Sequence, residues 1–162
     1  TVTETVMPTG TTTDDAPGVG DSGTGNSGTG NSGAGDSLTP IRTDEPIPPF
    51  TGKWIGHDRD LTLNADRTGS MLVGSGALDG ERWALTWSAG APTVRFITLT
   101  TRESISGSGA GGAMYQGATY SVTQARDSDG IVIMTMRGFH GDSGSDVLTW
   151  CRPGSGSHEC GA

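Results

Sequence analysis

The chain has 162 residues, a formal net charge of −8, 28 glycines and only 31% hydrophobic residues. That length allows one domain with an appended segment. It carries no basic patch, which argues against nucleic acid and anionic membrane surfaces as partners, and no apolar run approaches the roughly 18 residues a membrane helix needs.

Residues 1–49 hold seven Asp/Glu and one Arg, so −6 of the −8 lies there, and they contain no aromatic residue and no Cys. Residues 18–37 read GVGDS GTGNS GTGNS GAGDS, a five-residue G-x-G-[DN]-S repeat. Glycine loses much entropy on ordering, and nothing in the repeat can be buried to offset it. Calcium-loaded β-rolls need a nine-residue period with a recurring apolar residue, and this repeat has neither. The expectation is a disordered acidic linker over 1–49, with a Thr-rich part before the repeat that suits O-glycosylation and a Pro-rich, extended part after it. As a coil it would span about 35–42 Å. The chain starts at Thr1 and not Met, so a removed leader is expected. A lipidated Cys just before Thr1 would make the linker a surface tether.

From Phe50 the pattern becomes short alternating runs divided by turn signals. Strands are predicted near 53–57, 60–64, 69–75, 81–88, 93–101, 114–125, 131–137 and 146–151. NADRTG, LDGE, SAGAP and DSDG supply turn chemistry between them. No segment has a helical period with caps. The fold class is therefore all-β. It is a single antiparallel up-and-down barrel of about eight strands over 50–162, a closure that leaves no exposed edge.

Alternation assigns faces. Trp83, Leu85 and Trp87 share one side, as do Leu61 and Leu63. The run IVIMTM is apolar on both sides, with Ile131 and Ile133 opposite Val132, Met134 and Met136. Its second apolar face needs a cover: the proline segment, the long loop, a partner or a ligand. Residues 102–115 form a Gly/Ser-rich loop with no aromatic or cationic residue between Glu103 and Ala113, and disorder is expected there.

The two cysteines, Cys151 and Cys160, are expected to form one disulfide, as suits a small Gly-rich chain in an oxidising compartment. Two free thiols or a metal pair are the alternatives, but eight intervening residues match neither a redox CxxC nor a zinc knuckle.

The domain opens FTGKW, and its Gly52-Lys53-Trp54 resembles the first-strand G-x-W of the calycin barrels, the lipocalin and avidin-type proteins. The resemblance implies that Trp54 closes one barrel end and that an arginine near the last strand, here Arg152 after LTWC, packs on it. The low-complexity tail, the GxWxGH start and the terminal CGA also resemble secreted or lipoprotein-type proteins of actinobacteria, which implies an extracytoplasmic location.

Three chemistries compete. GDSG at 141–144 carries the motif of chymotrypsin-like serine proteases, with Ser143 as nucleophile, the Gly141 and Ser143 amides as oxyanion hole and His57 as base. Only 86 residues separate His57 from Ser143. That fold needs two six-stranded barrels, the His context is IGHDRD, and Ser145-Asp146 follows where Gly-Pro would. A hairpin turn explains the segment better. His57, Asp58 and Asp60 in one turn and His140 and Asp142 in another could meet at one rim as a mixed N/O site, but solvated turn residues explain them, and no metal or cofactor is expected. Trp54, Trp83, Trp87, Phe96, Met134 and Met136 could line the barrel as a ligand site, or fill it as ordinary core. The expected function is a secreted or surface-tethered barrel that binds a small apolar ligand or an envelope or protein partner and performs no catalysis. A serine hydrolase using Ser143 is the alternative.

Overall fold

A computed structural model describes residues 38–140 and 146–161. The expected disorder of 1–37 and the GDSGS turn at 141–145 lie outside the described residues. Nine strands form one sheet: β1 Thr39–Pro40, β2 Gly52–Gly56, β3 Arg59–Leu63, β4 Thr68–Gly74, β5 Gly80–Ala89, β6 Val94–Ser106, β7 Thr119–Arg126, β8 Val132–Arg137 and β9 Val147–Cys151. Strands β2 to β9 pair antiparallel in chain order, and β2 meets β9 at Ile55↔Cys151. The result is the expected closed eight-stranded up-and-down barrel, with β1 as an extra strand beside β7.

The inner face follows the period of two. Leu61, Met71 and Trp83 lie in one cross-strand row, as do Ile97 with Tyr120 and Met134 with Trp150, and all of them are buried. In-register partners point to one side of the sheet, so the alternating hydrophobes of all eight strands converge on one core. A short 3-10 turn, His158–Cys160, follows β9.

Three expectations shift. The folded part starts before Phe50: Thr39 and Pro40 pair with Arg126 and Ala125, Ile41 is buried, and Glu45 meets Arg126 at 3.2 Å. Proline content alone read as linker, but the carbonyls of Pro48 and Pro49 accept from the Gln124 amide at 3.0 and 3.3 Å. Second, the loop is ordered. Strand β6 runs on to Ser106, and within 107–118 Ala110, Ala113, Met114 and Ala118 join the core. Its anchors lie elsewhere in the chain: Asp79 accepts the Ser108 N–H at 2.8 Å, and Ser75 donates to the Gly109 carbonyl at 2.8 Å.

Third, the outer side of IVIMTM is covered by the C-terminal segment. Cys151 and Cys160 are bonded, with Cα atoms 6.0 Å apart, and both pack on the buried Ile133. Ser157 ties that segment down by donating to Asp127 at 2.6 Å.

Candidate functional site

The meander puts the β3–β4, β5–β6 and β7–β8 turns at one end of the barrel, here the lower, and the other turns at the upper end. The lower end is closed by Pro48 to Phe50. The Trp54 indole N–H donates to the Phe50 carbonyl at 2.7 Å. Arg152 lies 3.9 Å from the Trp54 ring centroid, donates to the Lys53 carbonyl at 3.2 Å and also donates to the Pro49 carbonyl. Arg95 stacks on Phe50 at 4.2 Å. Gly52 explains the glycine of G-x-W: its φ of +101° favours glycine, and a Cβ there would stand 2.9 Å from the Arg152 guanidinium.

The upper end is closed by 107–118. The Tyr120 hydroxyl donates to the Ala113 carbonyl at 2.9 Å. Burial, with the nearby Tyr115 and Glu81, pushes the Tyr120 pKa up, so it stays a neutral donor. The buried Glu81 accepts from the Trp83 indole N–H at 2.7 Å and from the Ala110 N–H at 3.4 Å.

The six aromatic and methionine residues expected at a ligand site therefore separate. Trp54, Met134 and Met136 are 0% exposed; they are packed core and border no space a water molecule could enter. Trp87 sits at the lower rim, its N–H on the Asn64 carbonyl at 2.9 Å and Arg67 6.0 Å from its ring. Phe96 is 43% exposed on the outer face. Its neighbours Ile97 and Leu99 take the inner positions of β6, because they pair with Trp87 and Leu85. Trp83 alone of the six lies in the core and against an open groove.

That groove, of about 330 Å³, lies where β6 leaves the β7 side beyond Leu99, whose N–H donates to the Ala118 carbonyl and whose carbonyl accepts from the Gly117 N–H. Trp83 and Met114, both buried, form its floor, and Thr100, Arg102, Tyr115 and Gln116 its sides. Arg102 stands 5.9 Å from the Trp83 ring centroid. Apart from Trp83, sequence reasoning passed over these residues. The clue was present, since Arg102 and Tyr115 flank the Gly/Ser run that was read as featureless. A second groove, about 430 Å³, is lined mostly by glycines and small residues of the β4–β5 turn and offers little recognition chemistry.

The two histidine turns share the upper end, but each histidine has its own carboxylate. His57 meets Asp58 at 3.3 Å and His140 meets Asp146 at 3.0 Å, all largely exposed, while Asp60 pairs with Arg82 at 3.0 Å. Among the described residues no three His, Cys, Asp or Glu side chains gather as a metal site would require. Ser143 and Asp142 lie outside the described residues. No helix among them is long and apolar enough to cross a membrane.

The fold makes this chain an all-β protein on a closed, two-end-capped antiparallel barrel. No family model, no curated protein and no solved structure matches it.

Proposed function

We propose that the chain is an extracytoplasmic, non-catalytic binding domain, secreted or held at the cell surface, that takes a small apolar ligand in the groove over Trp83. The observation that carries this reading is the groove itself: a fixed indole face and a methionine beside an exposed tyrosine, where the β6–β7 pairing ends. The indole is held from behind by Glu81 at 2.7 Å, so it is oriented before a ligand arrives. The packed interior supports a surface site over one inside the barrel, and the disulfide supports an oxidising compartment.

Isothermal titration with 2-naphthamide, a flat neutral probe, tests the reading. Saturable one-to-one binding is expected, weakened about three- to tenfold by Tyr115→Ala, the loss of one aromatic contact, and unchanged by Phe96→Ala. Absence of saturable binding would contradict it. A fluorophosphonate probe addresses the hydrolase alternative: stoichiometric labelling abolished by Ser143→Ala would replace the binding reading with catalysis, and no labelling is expected.

A further inference from the structure

We infer that the ligand of this groove carries a carboxylate on its flat apolar body, and that Arg102 recognises it. The inference rests on the groove being the binding surface. Most other arginines in the described residues are engaged. Arg42, Arg82 and Arg126 pair with Asp44, Asp60 and Glu45. Arg59, Arg95 and Arg152 donate to backbone carbonyls. Arg102 has no carboxylate and no hydrogen-bond acceptor among the described residues; its one contact is the Trp83 ring at 5.9 Å. Arg67, 6.0 Å from the Trp87 ring, and Arg137 likewise have no carboxylate among the described residues, but Arg102 is the cation that lines this groove.

The surroundings suit the same ligand. A guanidinium resting on an indole keeps its planar fork of donors available, which is the geometry that takes a carboxylate through two parallel hydrogen bonds. Glu81, the carboxylate beneath the groove, is committed to the Trp83 and Ala110 N–H groups. Tyr115 is 62% exposed, and its hydroxyl, like the Gln116 amide, has no partner among the described residues. On the side where β7 has departed, the β6 backbone at Thr100 and Thr101 meets no strand. About 330 Å³ suits a ligand of one or two fused rings and is at the small end of ligand sites.

The test compares 2-naphthoate with 2-naphthamide, which share a ring system and differ in charge, by isothermal titration at pH 7 on the full chain. Wild type is set beside Arg102→Gln and, as a control cation elsewhere on the surface, Arg137→Gln. Naphthoate should bind at least about tenfold tighter than naphthamide, the scale of one charge-assisted interaction. Arg102→Gln should abolish that preference, so that naphthoate binds no tighter than naphthamide, and an unchanged far-UV circular dichroism spectrum and urea midpoint check that the variant is folded. Arg137→Gln should change neither. Equal affinity for the two probes, or a preference that survives Arg102→Gln, overturns the inference while the groove reading stands. If neither probe binds, the groove reading fails and the inference with it.

Discussion

The guanidinium of Arg152 lies 3.9 Å from the centroid of the Trp54 ring, and the two residues, 98 positions apart in sequence, together lock the lower end of the barrel. The stack joins the chain just after β9 to the start of β2, beside a seam whose strand pairing is Ile55↔Cys151. The side chains therefore do much of the closing there. Burial holds the Arg152 pKa below the ordinary guanidinium range, yet the group stays charged at any working pH. Arg152→Met keeps the packing volume but loses the stack, about 0.5–2 kcal/mol, and leaves the Pro49 and Lys53 carbonyls short of a donor. A total loss of about 1–3 kcal/mol is expected in urea unfolding. A loss below about 0.5 kcal/mol would show that the stack is incidental.

The Cys151–Cys160 disulfide should act on the outer face of β8 more than on the barrel. Converting both cysteines to alanine is expected to cost about 2–3 kcal/mol, the loop-closure scale for so short a loop. The far-UV circular dichroism should stay that of a β protein. Hydrogen exchange should rise in β8 around Ile133, which the disulfide covers. Loss of all structure on reduction would contradict this division of labour.

Asp127 makes stability depend on pH. Its carboxylate accepts from the Ser157 hydroxyl, at 2.6 Å, and from the Ile131 and Asp129 N–H groups. These bonds, the Ser157 one foremost, hold its pKa below the usual carboxylate value. A folded pKa below the unfolded one contributes stability above the unfolded value, near 3.9, and loses it as pH falls through the folded value. Ser157→Ala should therefore cost more at pH 6 than at pH 2.5, because acidification moves the Asp127 carboxylate towards its protonated form and removes the charge that the Ser157 bond favours. An equal cost at both values would assign the Ser157 effect to something other than this carboxylate.

Glycines of the 107–118 segment differ in what a side chain would meet. Gly109 and Gly112 both have positive φ, +66° and +79°, so alanine at either costs about 1–2 kcal/mol of backbone strain. At Gly109 the new Cβ would also stand 2.2 Å from a Glu81 oxygen, whereas at Gly112 nothing lies within 4 Å. Gly109→Ala should cost about 1–3 kcal/mol more than Gly112→Ala and should alter the near-UV signal of Trp83. Equal costs would mean that the segment does not seat on Glu81.

The barrel was legible in the sequence because strand alternation is a local property. Leu61 and Leu63, or Trp83 and Leu85, declare their face within five residues, and NADRTG and DSDG declare the reversals between strands. The G-x-W resemblance supplied the Arg152–Trp54 contact, which no local pattern holds. Phe96 was misplaced because its size suggested core, although Ile97 and Leu99 beside it define the inward parity of β6. The groove was hidden for a different reason. Its wall is a Gly-rich segment whose order comes from Asp79 and Glu81, nearly thirty residues upstream, and composition cannot report such contacts.

The groove over Trp83, as opposed to the barrel interior, is the central claim, and methionine methyls can separate the two. Met114 lines the groove, while Met134 and Met136 are 0% exposed inside the barrel. In a carbon–proton spectrum of methyl-labelled protein titrated with 2-naphthoate, the Met114 methyl is expected to shift progressively to saturation while those of Met134 and Met136 stay in place. Shifts at Met134 and Met136 with Met114 unmoved would put the ligand in the barrel and contradict the account.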